Sequence, residues 1–208
     1  LQIGGDFRIQ GIQYNDSDNS RKSAFFPMQA DIYAYLKLND NASVFTKIGA
    51  RGSSSLSTEY WALLSNLPQN AWLKIGRSLP NYGLRVDDHT SFIRGGNYNR
   101  TTKLSFVKEG LLFGPYFDPP AMLEMGVPLL GNLQWTGSIS TSIINNSEEL
   151  NNLTTQLNYT GSIVNQLTIM SDIHYMQDNN LTLIGFSGGL SYEGFTWTFE
   201  VDQAENLI

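Results

Sequence analysis

Residues 29–51 read QADIYAYLKLNDNASVFTKIGAR, and apolar and polar side chains alternate along both halves of this stretch. In the first half, one side of an extended chain carries Ala30, Ile32, Ala34, Leu36 and Leu38, and the other carries Asp31, Tyr33, Tyr35, Lys37 and Asn39. A period of two predicts a β-strand, because successive strand side chains point to opposite faces of a sheet. The halves meet at Asp40-Asn41, so the stretch is predicted to be an antiparallel hairpin.

The same alternation continues on both sides of this hairpin. It predicts nine further strands, at residues 2–14, 56–64, 71–77, 121–127, 133–143, 153–161, 167–177, 181–192 and 195–202. The best helix candidate, residues 147–157, is interrupted by Asn151-Asn152 and by a run of threonines. The chain is therefore predicted to be all-β, with about eleven strands.

The composition excludes several classes of protein. The chain has no cysteine, which excludes disulfide scaffolds, thiol nucleophiles, thiolate metal sites and covalently attached haem. Its formal net charge of −6 argues against binding of nucleic acid through bulk electrostatics. Only 15% of the residues are charged, below the quarter or so that is usual in soluble domains, while aromatic residues reach 12%.

Strand length and face composition favour a membrane barrel over a soluble sandwich. Most predicted strands have the nine to eleven or so residues that a tilted strand needs to cross a bilayer. The apolar faces are rich in alanine and glycine, which lipid tolerates because no interlocking core has to be filled. We therefore expect an antiparallel transmembrane β-barrel, and a soluble β-sandwich stays open as the alternative.

The connections bear on the number of strands. The first predicted connection, residues 15–27, is long, and residues 78–120 form a very long loop that adds either no strand or two, at 101–107 and 111–117. Either way the count stays odd, whereas bacterial single-chain barrels have even counts. We therefore expect about 12 or more strands, with residues 1–208 as one barrel domain that belongs to a longer barrel.

Residues 74–90, KIGRSLPNYGLRVDDHT, resemble a motif of bacterial outer-membrane barrels in which a strand ends in Gly-Arg and a Pro-x-Tyr-Gly turn leads into a charged loop. The whole chain resembles a Gram-negative outer-membrane β-barrel of the porin type. The resemblance implies a bacterial outer-membrane location, with membrane lipid as a partner. The chain departs from this family in its odd strand count and in its last residues, Leu207-Ile208, where such barrels generally end in an aromatic residue.

Charged residues concentrate at the start of the long loop and at its root. They are Arg77, Arg85, Asp87, Asp88, His89 and Arg94. If the loop folds inward, facing charges of opposite sign make a constriction that selects permeants. The alternative is that the same charges pair with one another and tie the loop down, or are simply solvated.

A second set of charged residues falls on the polar faces of the predicted strands, where they would line a barrel lumen. These candidates are Asp6, Arg8, Asp31, Lys37, Lys47, Arg51, Glu59, Lys74, Glu124, Asp172, Glu200 and Asp202. Because both signs occur, only modest ion selectivity is predicted.

The two histidines give little indication of catalysis. Asp172 and His174 share one strand face, as a Ser-His-Asp hydrolase would require, but no serine is distinguished as a nucleophile. A polar pair facing the lumen is the preferred interpretation, and the chain is not expected to be an enzyme. His89 with Asp87 or Asp88 has no recognisable metal-ligand spacing, so neither a metal nor a cofactor is predicted.

Three functions follow from these observations. The first is a porin-like channel through which small polar solutes or ions diffuse. The second is a structural barrel that scaffolds a cytochrome, a lipoprotein or a surface assembly, and any haem would then belong to the partner, because this chain has no haem motif. The third is a soluble β-sandwich adhesin or glycan-binding module. A homo-oligomer, or a periplasmic or surface protein partner, is compatible with the first two functions.

Overall fold

A computed structural model describes residues 1–15, 21–51, 55–84, 119–142, 148–164 and 166–205 of the chain. Within them, eleven strands form one antiparallel sheet in which every strand pairs with its neighbours in sequence. This confirms the prediction of an all-β chain, and the eleven predicted strands all occur. No helix in the described ranges is long and apolar enough to cross a membrane.

The strands are β1 (Gln2–Asn15), β2 (Arg21–Lys37), β3 (Ala42–Arg51), β4 (Ser55–Leu67), β5 (Ala71–Arg77), β6 (Ala121–Pro128), β7 (Leu133–Ser140), β8 (Asn152–Val164), β9 (Leu167–Asp178), β10 (Leu181–Tyr192) and β11 (Phe195–Glu205). A single 3-10 turn, Pro68–Asn70, links β4 to β5. The predicted limits of β5 and β10 are confirmed, and most other limits differ by one to three residues.

The start of β2 was predicted wrongly. We expected the strand to begin at Gln29, after a loop that included Pro27, but it begins at Arg21. Arg8 pairs with Gln29 and Ile9 pairs with Pro27, so Met28 is an extra residue at a bulge. Proline has no amide hydrogen to donate and is tolerated in strands at such irregularities.

The connections differ between the two ends of the sheet. At one end the five connections are residues 38–41, 68–70, 129–132, 165–166 and 193–194, each of two to four residues. At the other end they are residues 16–20, 52–54, 78–120, 141–151 and 179–180, and they include the two longest. We call these the short-turn end and the long-loop end.

The register collects polar side chains on one face of the sheet and apolar side chains on the other. One row of paired residues runs from Lys74 through Glu124, Ser138 and Thr154 to Met176. The adjacent row on the opposite face runs through Ile75, Leu123, Ile139 and Leu153. We call these the polar face and the apolar face.

The two outermost strands, β1 and β11, are the edges of the sheet. Across the part of the chain that the structure describes, no ladder joins them, so the sheet is not closed. Because all neighbours are antiparallel and the strand number is odd, β1 and β11 run in the same direction.

Candidate functional site

Two ion pairs lie on the polar face, each between neighbouring strands and with at most one partly exposed partner. Lys47 Nζ is 2.8 Å from Glu59 Oε2, between β3 and β4. Lys74 Nζ is 2.6 Å from Glu124 Oε1, between β5 and β6. In each pair the two residues are directly opposite in the register, which places ammonium and carboxylate groups within reach.

The chain that leaves β5 lies across this face. We call residues 78–84 the crossing segment. Ser78 donates from Oγ to Glu59 Oε1 at 2.7 Å, and the Asn81 amide donates to Glu124 Oε2 at 2.7 Å. Each ion-paired glutamate thus uses one oxygen for its lysine and the other for the crossing segment. Hydrogen bonds to ionised acceptors are the stronger class, so this arrangement fixes the segment firmly.

The far end of the crossing segment is held by strands on the other side of the sheet. The Leu84 amide donates to Glu200 Oε2 at 3.0 Å, and Tyr82 Oη donates to Asp202 Oδ1 at 2.8 Å, both on β11. Gln156 on β8 donates from Nε2 to the Gly83 carbonyl oxygen at 3.3 Å. The segment therefore ties β4 and β6 to β8 and β11.

These contacts require a strongly curved sheet. On a flat sheet, five strand spacings of about 4.8 Å would separate β6 from β11 by roughly 24 Å. The three peptide units from Asn81 to Leu84 span at most about 11 Å, yet the amides at their two ends bond carboxylates on β6 and β11. Strand side chains stand roughly perpendicular to the sheet, so on a flat sheet the two glutamates would not bridge the remaining distance. The polar face is therefore concave, and the crossing segment lies in the concavity.

A cluster of buried ionisable groups lies beneath Tyr82. The His174 ring meets the Tyr82 ring edge-on, with a centroid separation of 4.5 Å. His174 Nδ1 is 2.5 Å from Asp172 Oδ1, and its Nε2 is 2.8 Å from Asp202 Oδ1. Ser187 donates from Oγ to the other oxygen of Asp172. Both ring nitrogens of the histidine thus face carboxylates.

Two glycines make room for these contacts. Gly83, in the crossing segment, has a φ of +57°, and a Cβ there would collide with the Glu200 carboxylate. Gly185 pairs with both His174 and Asp202 in the register, and a Cβ there would collide with both of their side chains. A glycine is therefore needed at each place for the side chains to approach as closely as they do.

Ten of the predicted lumen residues lie on the polar face: Asp6, Asp31, Lys37, Lys47, Glu59, Lys74, Glu124, Asp172, Glu200 and Asp202. Asp6 and Asp31 are directly opposite each other on β1 and β2. Lys37 lies at the short-turn end, where its Nζ is 2.7 Å from Asp40 Oδ1. That hydrogen bond, together with the ammonium charge, lowers the pKa of the Asp40 carboxyl.

The remaining candidates fall into three groups. Arg77 pairs with Tyr60 and Ala121, in a row of the apolar face, and donates from Nε to the Pro119 carbonyl oxygen at 3.0 Å. The backbones of Arg8 and Arg51 pair with Gln29. The predicted constriction residues Arg85, Asp87, Asp88, His89 and Arg94 lie outside the described residues, so the constriction stays a prediction.

Sequence reasoning placed Asp172 and His174 on one face but missed their partners. Tyr82 and Gly83 were noticed only as part of a motif, and Ser187 was not distinguished at all. Ser187 contacts Asp172 rather than His174, so these three residues are not arranged as a serine activated by a histidine. The Pro-x-Tyr-Gly turn is a sequence signal that singles out Tyr82. The partners on other strands have no such signal, because the register of the strands decides which residues meet.

The concave face combines fixed charges, buried hydroxyl and amide groups, and a chain segment laid across them. The chain matches no family model, no curated protein and no solved structure.

Proposed function

We propose that this chain forms the wall of a transmembrane β-barrel pore in a bacterial outer membrane, through which small polar solutes or ions diffuse. The observation that carries the proposal is an inverted distribution of burial, with polar side chains inside and apolar side chains outside.

The inversion is large on both faces. On the apolar face Ile32 is 70% exposed, Ile173 58% and Trp197 65%. On the polar face Glu124 is 0% exposed and His174 1%. In water an apolar face of eleven strands would be an uncovered surface of a kind that monomeric soluble proteins rarely have. In a bilayer the same face meets lipid, and the polar face lines a lumen.

Strand length and connection length support the same proposal. All strands except β5, β6 and β7 have ten or more residues, enough to cross a bilayer core when tilted. Bacterial barrels have short periplasmic turns and longer outer loops, and the two ends of this sheet differ in that way. The short-turn end carries the outward aromatic residues Tyr192, Phe195 and Trp197, as an interfacial aromatic girdle would.

The two open edges set a condition on the barrel. Since β1 and β11 run in the same direction, an all-antiparallel barrel needs an odd number of further strands between them. The total then becomes twelve or a larger even number, as in bacterial single-chain barrels. Closure also removes two edges whose unpaired backbone groups lipid would not satisfy.

In this barrel the crossing segment would narrow the lumen. Tyr82 is its largest side chain on the concave face, and it lies against His174, Met176 and Leu183. The crossing segment is bonded to two glutamates that pair with lysines and to two carboxylates of β11. Since charges of both signs lie along it, we expect weak selectivity between cations and anions. The expected permeants are therefore small and polar, with little discrimination by charge.

The test is single-channel recording in planar lipid bilayers with the full-length protein. We expect discrete conductance steps, and we expect Tyr82→Ala to increase their size because it removes a ring from the narrowed lumen. Tyr60→Ala is the matched control, since Tyr60 lies on the apolar face. A protein that stays monomeric and soluble without detergent would contradict the proposal, as would equal effects of the two substitutions.

A second candidate is a barrel that scaffolds a partner rather than conducting. The specific observation in its favour is the crossing segment itself, which is bonded to both sides of the concave face and buries Tyr82. A lumen filled by its own chain would leave little room for solutes. Membrane insertion without conductance, both in the natural protein and in Tyr82→Ala, would favour this candidate.

A further inference from the structure

We propose that His174, Glu200 and Asp202 bind a Zn²⁺ ion on the polar face of the sheet. The imidazole comes from β9 and the two carboxylates come from β11, on either side of β10. His174 Nε2 lies 2.8 Å from Asp202 Oδ1 and 3.8 Å from Glu200 Oε1. The three donor atoms all lie within 4.8 Å of one another. One imidazole nitrogen with carboxylate oxygens is a donor set that Zn²⁺ accepts.

The strand between the donors leaves space for the ion. Gly185 on β10 pairs with His174 on one side and with Asp202 on the other. A Cβ at this position would occupy the region between His174 Nε2 and the Asp202 carboxylate. Gly83 does the same for Glu200, from the crossing segment above. Two glycines therefore border the cluster where any larger residue would fill it.

The other side of the histidine ring has the surroundings of a metal ligand. His174 Nδ1 is held by Asp172, and Ser187 donates to that carboxylate in turn. Histidines that bind metals usually donate their second ring N–H to a carboxylate or a carbonyl, which fixes the tautomer. With the proton on Nδ1, the lone pair of Nε2 points toward Glu200 and Asp202.

The distances allow Zn²⁺ after a small adjustment. In tetrahedral coordination with bonds of about 2.0–2.1 Å, donor atoms lie roughly 3.3 Å apart. The two distances from Nε2, 2.8 and 3.8 Å, lie on either side of this value. Shifts of about half an ångström would equalise them. The fourth position would be open to water or to the Tyr82 hydroxyl, which already bonds Asp202.

Binding exchanges a proton for the metal ion. Without metal, a proton on Nε2 can bridge His174 and Asp202, whereas Zn²⁺ requires that nitrogen to be deprotonated. Zn²⁺ binding should therefore release a proton and tighten as the pH rises. Mg²⁺, which takes oxygen ligands and keeps its water, should not compete effectively.

The experiment is calorimetric titration of Zn²⁺ into the full-length protein in detergent, after removal of metal with EDTA. We expect one site per chain, with a binding enthalpy that depends on the buffer because a proton is released. His174→Gln and Glu200→Gln should each weaken binding by about 100-fold or more, and Asp172→Asn by about 10- to 100-fold. Co²⁺ in place of Zn²⁺ should give visible absorption bands that are lost in His174→Gln.

Two controls separate this site from other ligands in the chain. The sequence has two histidines, so His89→Ala tests the other imidazole. Asp178→Asn removes a buried polar-face carboxylate that bonds Ser142 and Asn152 outside the cluster. Both variants should keep the natural affinity, and circular dichroism should show that all variants fold.

Absence of Zn²⁺ uptake by the folded natural protein would overturn the proposal. Hydrogen bonds from His174 to Asp172 and Asp202 would then hold the cluster together without a metal ion. Unchanged affinity in His174→Gln, or loss of binding in His89→Ala, would overturn it equally. The titration does not depend on conductance. A conducting protein that takes up no Zn²⁺ refutes only this site, while a Zn²⁺-binding protein that does not conduct refutes only the pore.

Discussion

Ile173 shows how a single exposed side chain distinguishes a lipid environment from water. It lies near the middle of β9 on the apolar face and is more than half exposed. At an exposed site in water, a substitution normally changes stability by no more than about 0.5 kcal/mol. At the middle of a bilayer, arginine on the lipid face costs about 2–4 kcal/mol.

Ile173→Arg is therefore predicted to reduce the free energy of unfolding by about 2–4 kcal/mol in lipid vesicles. Phe195→Arg is the control, because Phe195 lies on the same face beside the short turn, where the expected cost is about 0–1 kcal/mol. Denaturant titration monitored by tryptophan fluorescence measures both. Equal losses at the two positions would mean that depth in a bilayer plays no part.

At the scale of the element, the turn between β10 and β11 is not at its optimum. Glu193 and Gly194 have φ values of +45° and +87°, so both residues of this two-residue turn adopt the left-handed region. Hairpin turns of this kind favour Asn-Gly. Glu193→Asn is predicted to stabilise the protein by about 0.5 kcal/mol, and Glu193→Val to destabilise it, in the same denaturant titration. An increase in stability in Glu193→Val would contradict a left-handed backbone at residue 193.

The strands themselves were largely predictable, because alternation with a period of two is a local property of the sequence. The same locality explains why Asp172 and His174 were placed on one face correctly. It also explains the error in β2, since a bulge at Met28 shifts the alternation by one residue and makes the segment before Pro27 look like a loop.

The partners of the polar cluster depend on information that alternation does not contain. Ser187 reaches Asp172 only because the register sets them opposite each other on β10 and β9. Tyr82 reaches Asp202 across 120 positions of sequence, through the curvature of the whole sheet. Neither contact leaves a pattern in the neighbouring sequence. The face on which each residue lies was therefore predictable, and the residues that it contacts were not.

At the scale of the whole molecule, tryptophans on the two faces of the sheet test the proposal that the apolar face meets lipid. Trp197 is on the apolar face, and Trp72 is on the polar face, where its ring covers Gly126. In variants that keep one tryptophan each, lipids brominated on their acyl chains should quench the fluorescence of Trp197 strongly and that of Trp72 weakly. Quenching of Trp72 as strong as that of Trp197 would contradict a lumen on the polar side.

The crossing segment also has a consequence for the order of folding. Apart from β5 and β6, which residues 78–120 separate, neighbouring strands are joined by connections of at most 11 residues. Most of the sheet can therefore grow one hairpin at a time from contacts of short sequence separation, which form fast. The bond from the Leu84 amide to Glu200 joins residues 116 positions apart. It cannot form until β11 has been added and the sheet has curved. The segment therefore docks only after β11 is in place, and its docking marks a sheet that has been assembled at least as far as that strand.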